Sequence, residues 1–462
     1  MKIKIKFIII IVIILILGLL FLALKPKIFP SKQYLEITKP ITLNWWGVWE
    51  TNDDVADLIN GFKTLHPNIT INYRKFRFED YENELLEAFA EDRGPDLYSL
   101  PASWLSKYQT KILPQPPTIT LPYQELKGAL KKELVTTIKK VPTLTINQVN
   151  EQFVDVVSKD VVINKQIYGL PFNLDTLVLF YNRDLFNNFN IALPPKNWSE
   201  FADDVQKVTL IDQNNEIVQA GAAIGTAKNI PRANDILAVL MIQNGALMTA
   251  DSGGITFNQA IIESNGQVYN PGAVALEFYT DFANPSKVVY TWNDQQGDAL
   301  EEFIKGKVAM FFGYSYHLPL IKSKAPKLNF SVTNFPQIEN SPVNYNYANY
   351  WVVTVAKKST YSDEAWGFIN YAIQKDVNKK FLEKIKRPTA LKNLIDEQLA
   401  NEEIPELKIF ASQVLTAKSW YHGRNPLLAE KYFSEMIDNV VSGTKTPIEA
   451  INLAVQQINT TL

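Results

Sequence analysis

The chain has 462 residues, enough for about two or three domains, and its 46% apolar and 20% charged residues are those of a globular protein with a sizeable core. It has no cysteine, which excludes disulfides, thiolate metal sites and a cysteine nucleophile. Past the first thirty residues, 41 basic side chains face 48 acidic ones, a formal net of −7, and no Lys/Arg cluster is interleaved with aromatics, so nucleic acid is excluded as a partner.

Lys2, Lys4 and Lys6 precede an apolar run from Phe7 to Leu24, about long enough to cross a hydrocarbon core. No lipid-attachable cysteine follows, and Leu24-Lys25-Pro26-Lys27 offers no small-x-small cleavage site. The reading is an uncleaved transmembrane anchor over 7–24 with residues 1–6 inside, in preference to a cleaved signal peptide, followed by a linker over 25–35.

Ile41 to Trp45 alternates as a strand and leaves through the loop Trp46-Gly-Val-Trp49-Glu50. Asn52 or Asp53 is expected to cap a helix with Val55, Leu58, Ile59, Phe62 and Leu65 on one face. Ile69, Ile71 and Tyr73 mark a second strand, Tyr81 to Phe89 a second helix, and Asp96 to Leu100 a third strand after the Gly94-Pro95 turn. This alternation predicts a parallel α/β lobe. Residues 111–165 read as an irregular surface excursion.

Tyr168-Gly-Leu-Pro-Phe-Asn-Leu-Asp175 then opens on Leu177–Tyr181, an apolar run of the kind buried on both faces in a parallel sheet. Asn173 and Asp175 stand at its mouth, where open α/β sheets hold ligands. Ser199 is expected to cap the next helix, and Asp212–Glu216 to form a polar hairpin turn and not a calcium loop, because Ile217 stands where that loop wants glycine. Val308–Phe312 is a strand that runs into Gly313-Tyr314-Ser-Tyr316, and Asn349-Tyr350-Trp351 opens a strand to Val355. Thr446-Pro447-Ile-Glu449 is a capping box with proline at the first helical position.

His66, His317 and His422 are isolated, and no metal, nucleotide-loop or nucleophile-elbow motif is present; no catalytic residue, cofactor or metal is assigned. What recurs is an aromatic beside a hydrogen-bonding group at a strand end: Trp46 and Trp49 with Glu50, Tyr314 with Tyr316, Asn349 with Tyr350 and Trp351. Flat rings suit the apolar faces of sugars while carboxylates and amides take the hydroxyls, in an apolar cleft with a few placed polar groups. Scattered core tryptophans would account for any one of these rings taken alone.

In their order and spacing, ITLNWWGVWE at 41–50, Gly94-Pro95-Asp96-Leu97, YGLPFNLDTLVLFYNRDLF with PPKNW behind it, FIKGKVAM, Arg387-Pro388 and the closing SGTKTPIEAINLAVQQIN make the chain resemble family 1 extracellular solute-binding proteins. These are the capture components of ABC importers, similar to maltose-binding protein. The resemblance covers roughly residues 38–462 and implies a two-lobe α/β fold with a hinge and an interlobe cleft. The lobes would be 36–173 with 352–395 and 176–348 with 404–462. The cleft positions it implies are Trp46 to Glu50, the Asp96–Ser99 segment, Asp175, Tyr316 and Asn349 to Trp351. The expected function is an anchored, extracytoplasmic receptor that passes a mono- or oligosaccharide to ABC permease subunits. Alternatives are a receptor for a charged solute such as a polyamine, a surface carbohydrate-active enzyme using two of Glu50, Asp96 and Asp175, and a sensory ectodomain.

Overall fold

The computed structural model describes residues 13–18, 32–128, 131–262 and 266–462. The expected anchor at 7–24 lies outside the described residues except for 13–18, which are helical. Among the described residues no helix is long and apolar enough to cross a membrane. The described body starts with α1 (Lys32–Thr38) and folds into two lobes, each around its own core.

The first lobe is built on β1 (Ile41–Gly47), α2 (Asn52–Leu65), β2 (Ile69–Lys75), α3 (Phe78–Ala90) and β3 (Leu97–Pro101). Alternate residues Ile41, Leu43 and Trp45 of β1 are buried, and the hydrophobic face of α2 places Val55, Leu58 and Phe62 in the same core. Thr51, one residue before the expected caps, closes α2 in a capping box with Asp54. β1 runs parallel to β2 and β3. The expected irregular excursion contains a regular hairpin, β4 (Thr118–Lys127) paired with β5 (Glu133–Pro142) over ten residues each. Beyond it lies α4 (Asp155–Val161).

The chain then crosses at β6 (Asp175–Thr176) into β7 (Val178–Asn182). As expected, β7 is an interior strand, but it is antiparallel to both neighbours. The second-lobe helix at Trp198–Val208 is capped by Asn197 and not by Ser199. β8 (Leu210–Ile211) and β9 (Ile217–Ala222) form the expected hairpin around the left-handed Asn215. α5 (Ala233–Gln243), β10 (Val308–Gly313) and β11 (Phe330–Thr333) follow, giving a sheet of order β8-β9-β10-β7-β11.

Residues 349–355 are not one strand. β12 (Asn346–Asn349) and β13 (Trp351–Val355) belong to different sheets, with Tyr350 between them. β13 lies antiparallel to β3 in the first lobe. β12 pairs with β6 and with β14 (Ala417–Lys418). The core changes hands between Leu174 and Leu177 and again between Tyr347 and Ala348, and the three strands of this small sheet run at the changeovers. These short crossing strands, held to one another by ladder hydrogen bonds, fix where the lobes join without filling the space between them.

Candidate functional site

The chain leaves β1 through Val48-Trp49-Glu50 toward the other lobe. Tyr73 Oη donates to the Glu50 carbonyl at 2.9 Å and Lys75 Nζ to that of Trp49 at 2.8 Å, so the loop is held from below. Gly47 permits this close approach, since a Cβ there would stand 2.5 Å from Tyr73 Oη. Trp49, 40% exposed, reaches across and stacks on Tyr316 with ring centres 5.2 Å apart at 26°. Trp351 meets Trp49 edge-on at 6.0 Å.

Tyr316 comes from the second lobe, where β10 ends at Gly313 and the chain turns into a helix beginning at His317. The Tyr314 N–H donates to His317 Nδ1 at 2.9 Å. Burial holds the His317 imidazole down to about 3, so it is neutral in the fold. An unfolded imidazole takes its proton near 6.5, so this group's contribution is complete above that pH and is lost as pH falls from there toward 3. Urea midpoints measured from pH 6.5 downward should show a slope of up to about 1.4 kcal/mol per pH unit from this site. His317→Gln should flatten it, and equal slopes in the two proteins would rule this assignment out.

Asp175 is the hub between the aromatics. Its carboxylate accepts from the Ser315 hydroxyl at 2.6 Å, the Ser315 N–H at 3.0 Å and the Thr176 N–H at 3.0 Å. Arg387, from the first-lobe side, lies 3.6 Å from Asp175 Oδ2 and donates to Ser315 Oγ at 2.8 Å. Burial pushes the Asp175 carboxyl up, and Arg387 and Ser315 pull it back. Glu50 is also raised by burial, with Arg387 again opposing. These groups bound a narrow opening between the lobes.

Asn349 and Tyr350 form a wall shared with a second, neighbouring compartment. Here Asp235, fully buried in the apolar helix α5, receives Arg232 on both oxygens at 2.6 and 2.7 Å, Tyr314 Oη at 2.6 Å and Asn349 Nδ2 at 3.3 Å. Burial works against the charge on Arg232, but Asp235 and Glu430 outweigh it and hold that charge firmly. On the opposite wall Asp160 of α4 accepts from Tyr350 Oη at 2.6 Å, Ser419 Oγ at 2.6 Å and His422 Nε2 at 2.8 Å.

Of the expected site residues, the structure brings together Trp49, Glu50, Asp175, Tyr314, Tyr316, Asn349, Tyr350 and Trp351. It does not bring Trp46, Asp96 or Ser99 to them. Trp46 points to the other face of β1, against Phe76 at 4.5 Å and under the Arg74 guanidinium. Asp96 precedes β3 at the end away from the opening, accepting from the Asn44 N–H at 2.9 Å and the Ser359 hydroxyl at 2.6 Å. Ser99 is inside the first core, where Trp45 Nε1 donates to its hydroxyl at 3.3 Å. Sequence reasoning missed Arg387, Arg232, Asp235 and Asp160 as lining residues. Asp235 left little local signal, because it stands in the first turn of α5, just before the apolar run Ile236–Ile242, where an acidic residue is ordinary.

Among the described residues no group of His, Asp and Glu is arranged to hold a metal ion. Residues 57–408 match the family described as bacterial extracellular solute-binding protein. The sn-glycerol-3-phosphate-binding periplasmic protein of Salmonella typhimurium is 26% identical over 305 residues, 63% of this chain and 66% of that one. A binding protein of Brucella abortus is 22% identical over 341 residues, 72% of this chain and 71% of its own. Among solved structures, an ABC transporter solute-binding protein of Thermotoga lettingae bound to α-D-tagatose aligns with a TM-score of 0.65 at 21% identity, covering 91% of this chain and 99% of that one. The cyclic α-maltosyl-1,6-maltose binding protein of Arthrobacter globiformis aligns with a TM-score of 0.70 at 15% identity, over 91% and 99%. These likenesses give the two-lobe fold. The family match covers most of the chain, and on it the chain belongs to the bacterial extracellular solute-binding proteins, extracytoplasmic receptors for small solutes and not enzymes.

Proposed function

We propose that this receptor captures a mono- or oligosaccharide between its lobes and delivers it to the permease subunits of an ABC importer, tethered to the membrane through residues 7–24. One observation carries the reading: Trp49, Tyr316 and Trp351 converge from both lobes on a rim that also holds Glu50, Asp175, Arg387 and Asn349. Rings take the C–H faces of a sugar, and carboxylates, guanidinium and amide take its hydroxyls. With Trp49 and Tyr316 stacked at 5.2 Å, a sugar ring enters only when the lobes part about the crossing strands, and closure then buries both kinds of contact together. Sugar-bound relatives of the same fold support this ligand class.

A second reading, an anionic polyol such as a glycerol phosphate, is favoured by Arg387. Its Nη1 meets Ser315 and Asp175, and the side chain lines the opening, so a guanidinium charge stands at the rim. Relatives named for sn-glycerol 3-phosphate support it too.

A thermal-shift screen over mono- and oligosaccharides, glycerol phosphates, polyamines and amino acids separates these readings. Stabilisation by neutral sugars alone supports the first, and by phosphorylated polyols alone the second. With a stabilising sugar in hand, Trp49→Ala should weaken binding by about 1–2 kcal/mol through lost stacking, and unchanged calorimetric affinity would place that ring outside the contact.

A further inference from the structure

The cluster around Asp160 joins the lobes at the far wall of the second compartment and takes no part in the ring stacking. Asp160 belongs to the first lobe: Val156, Val157 and Val161 of the same helix, α4, lie in that core, and Asp160 itself is 3% exposed. Two of its partners come from the other side. Beyond the crossing strand β14, Trp420 and Tyr421 lie in the second core, and Ser419 and His422 stand on either side of them in the chain. Both reach the same oxygen of Asp160, Ser419 Oγ at 2.6 Å and His422 Nε2 at 2.8 Å, while Tyr350 Oη donates to the other oxygen at 2.6 Å. One carboxylate oxygen thus ties a helix of the first lobe to a loop of the second.

We propose that Asp160 and His422 form a pH-sensitive clasp between the lobes, one that tightens as the medium acidifies and favours the closed receptor. The inference rests on the lobe closure of the proposed function, and it holds whichever solute is bound. Ser419 directly follows β14 and stays near the pivot, whereas His422, three residues farther on, moves off with the second lobe when the lobes part. The His422 side chain is 43% exposed, so its proton exchanges with water in the closed form. Partial burial works against that proton, but the hydrogen bond and charge of Asp160, with the Trp420 backbone, outweigh it and raise the imidazole above its ordinary value. Two cations share the outer groove with the ring, Lys159 of α4 and Lys418 of β14, and Asp155 of α4 faces Lys418. The second-lobe wall of that groove, within 242–249, brings no charge, Tyr345 adds only a phenol, and Arg424 follows on the loop of His422 itself. With the lobes parted, His422 takes its proton near the ordinary value of about 6.5. The clasp is therefore complete below that pH and weakens as pH rises through the higher closed-state value, above which a neutral hydrogen bond replaces the charged one. One unit of rise on closing makes the closed-to-open ratio about tenfold larger on the acid side than on the alkaline side.

The test uses the three histidines and the absence of cysteine. Burial holds His66 below its ordinary value and His317 at about 3. In the imidazole resonances of the full-length protein in detergent, His422 alone should therefore titrate above about 6.5. Asp160→Asn should bring that titration down to about 6.5 or lower, with the resonances of His66 and His317 showing that the fold is kept. Spin labels on Leu86→Cys in the first lobe and Val288→Cys in the second, 45% and 76% exposed, measure the separation of the lobes without solute. The ratio of long to short separations should rise as pH passes through the His422 value, about tenfold for each unit by which closure raises it. His422→Gln and Asp160→Asn should each abolish that step. A His422 that titrates no higher than a free imidazole, a separation that ignores its titration, or a step that persists in His422→Gln would each overturn the clasp. Asp175→Asn is the control for closure itself. If it lengthens the separation where pH does not, the clasp fails and the closure stands; one unchanged separation in every protein at every pH removes both.

Discussion

Arg232→Met is expected to lower the stability of the second lobe by about 3 kcal/mol, the effect of removing one partner from a buried ion pair. Asp235 is 1% exposed and sits in α5 among Ile236, Leu237 and Ala238. Both its oxygens are matched to the Arg232 guanidinium, at 2.6 and 2.7 Å. Without that cation the carboxylate keeps only Tyr314 Oη at 2.6 Å and Asn349 Nδ2 at 3.3 Å, and it must either remain charged in an apolar helix or take up a proton. Adding Asp235→Asn should return most of the loss, because a neutral amide in the same place has no uncompensated charge to bury. Urea denaturation of the two single variants and the double variant measures this coupling directly. A loss below 1 kcal/mol for Arg232→Met, or strictly additive losses, would show that Arg232 is a surface cation with little hold on Asp235.

The same cluster explains why the site was only partly legible in the sequence. Aromatics at strand ends were readable as a class, and Trp49, Tyr316 and Trp351 do converge. Trp46 failed by one residue, because successive side chains of a strand face opposite ways: with Trp45 in the core, Trp46 turns to Phe76 and Arg74. Asp96 failed on direction. A strand in a parallel set offers ligands its carboxyl end, and Asp96 stands before β3, bonded to Asn44 and Ser359. Tyr314 and Tyr350 sit where the pattern pointed, yet their hydroxyls are committed to Asp235 and Asp160, so they shape the walls through charged partners distant in sequence.

Those charged partners left almost no local trace. Arg387 follows an amphipathic helix as an ordinary basic residue would, and nothing near it indicates Asp175 or Ser315. Asn349–Val355 was continuous in hydrophobic pattern, although its backbone changes sheets at Tyr350. Pattern reports burial, and both pieces are buried. The 118–142 hairpin was hidden for the opposite reason: much of β5 is half-exposed and rich in threonine and lysine, so its strand character rests on pairing with β4 and on little packing of its own.

Asp175→Asn is expected to weaken solute binding about thirtyfold while leaving the melting of each lobe nearly unchanged. In the closed arrangement this carboxylate joins the crossing strand to Ser315 in the second lobe, and Arg387 closes the bridge from the first-lobe side. An asparagine offers a single acceptor oxygen to the same donors and turns an amide toward a guanidinium. Hydrogen bonds to a charged group contribute about 1.5–3 kcal/mol, and losing about 2 kcal/mol of that from the closed state alone moves the open–closed balance by a factor of roughly thirty. On the closure proposed above, in which the solute is held between closed lobes, its apparent affinity falls by the same factor. Arg387→Ala should give a similar loss, and the double variant should be little worse than either single variant, since both act on one bridge. Calorimetry with the solute found by screening gives the affinities, and solution scattering shows whether saturating solute compacts the wild type and leaves the Asp175→Asn protein extended. Full affinity in Asp175→Asn, or losses that simply add, would show that closure is governed by the stacked rings of Trp49 and Tyr316 and that the Asp175–Ser315–Arg387 bridge follows it.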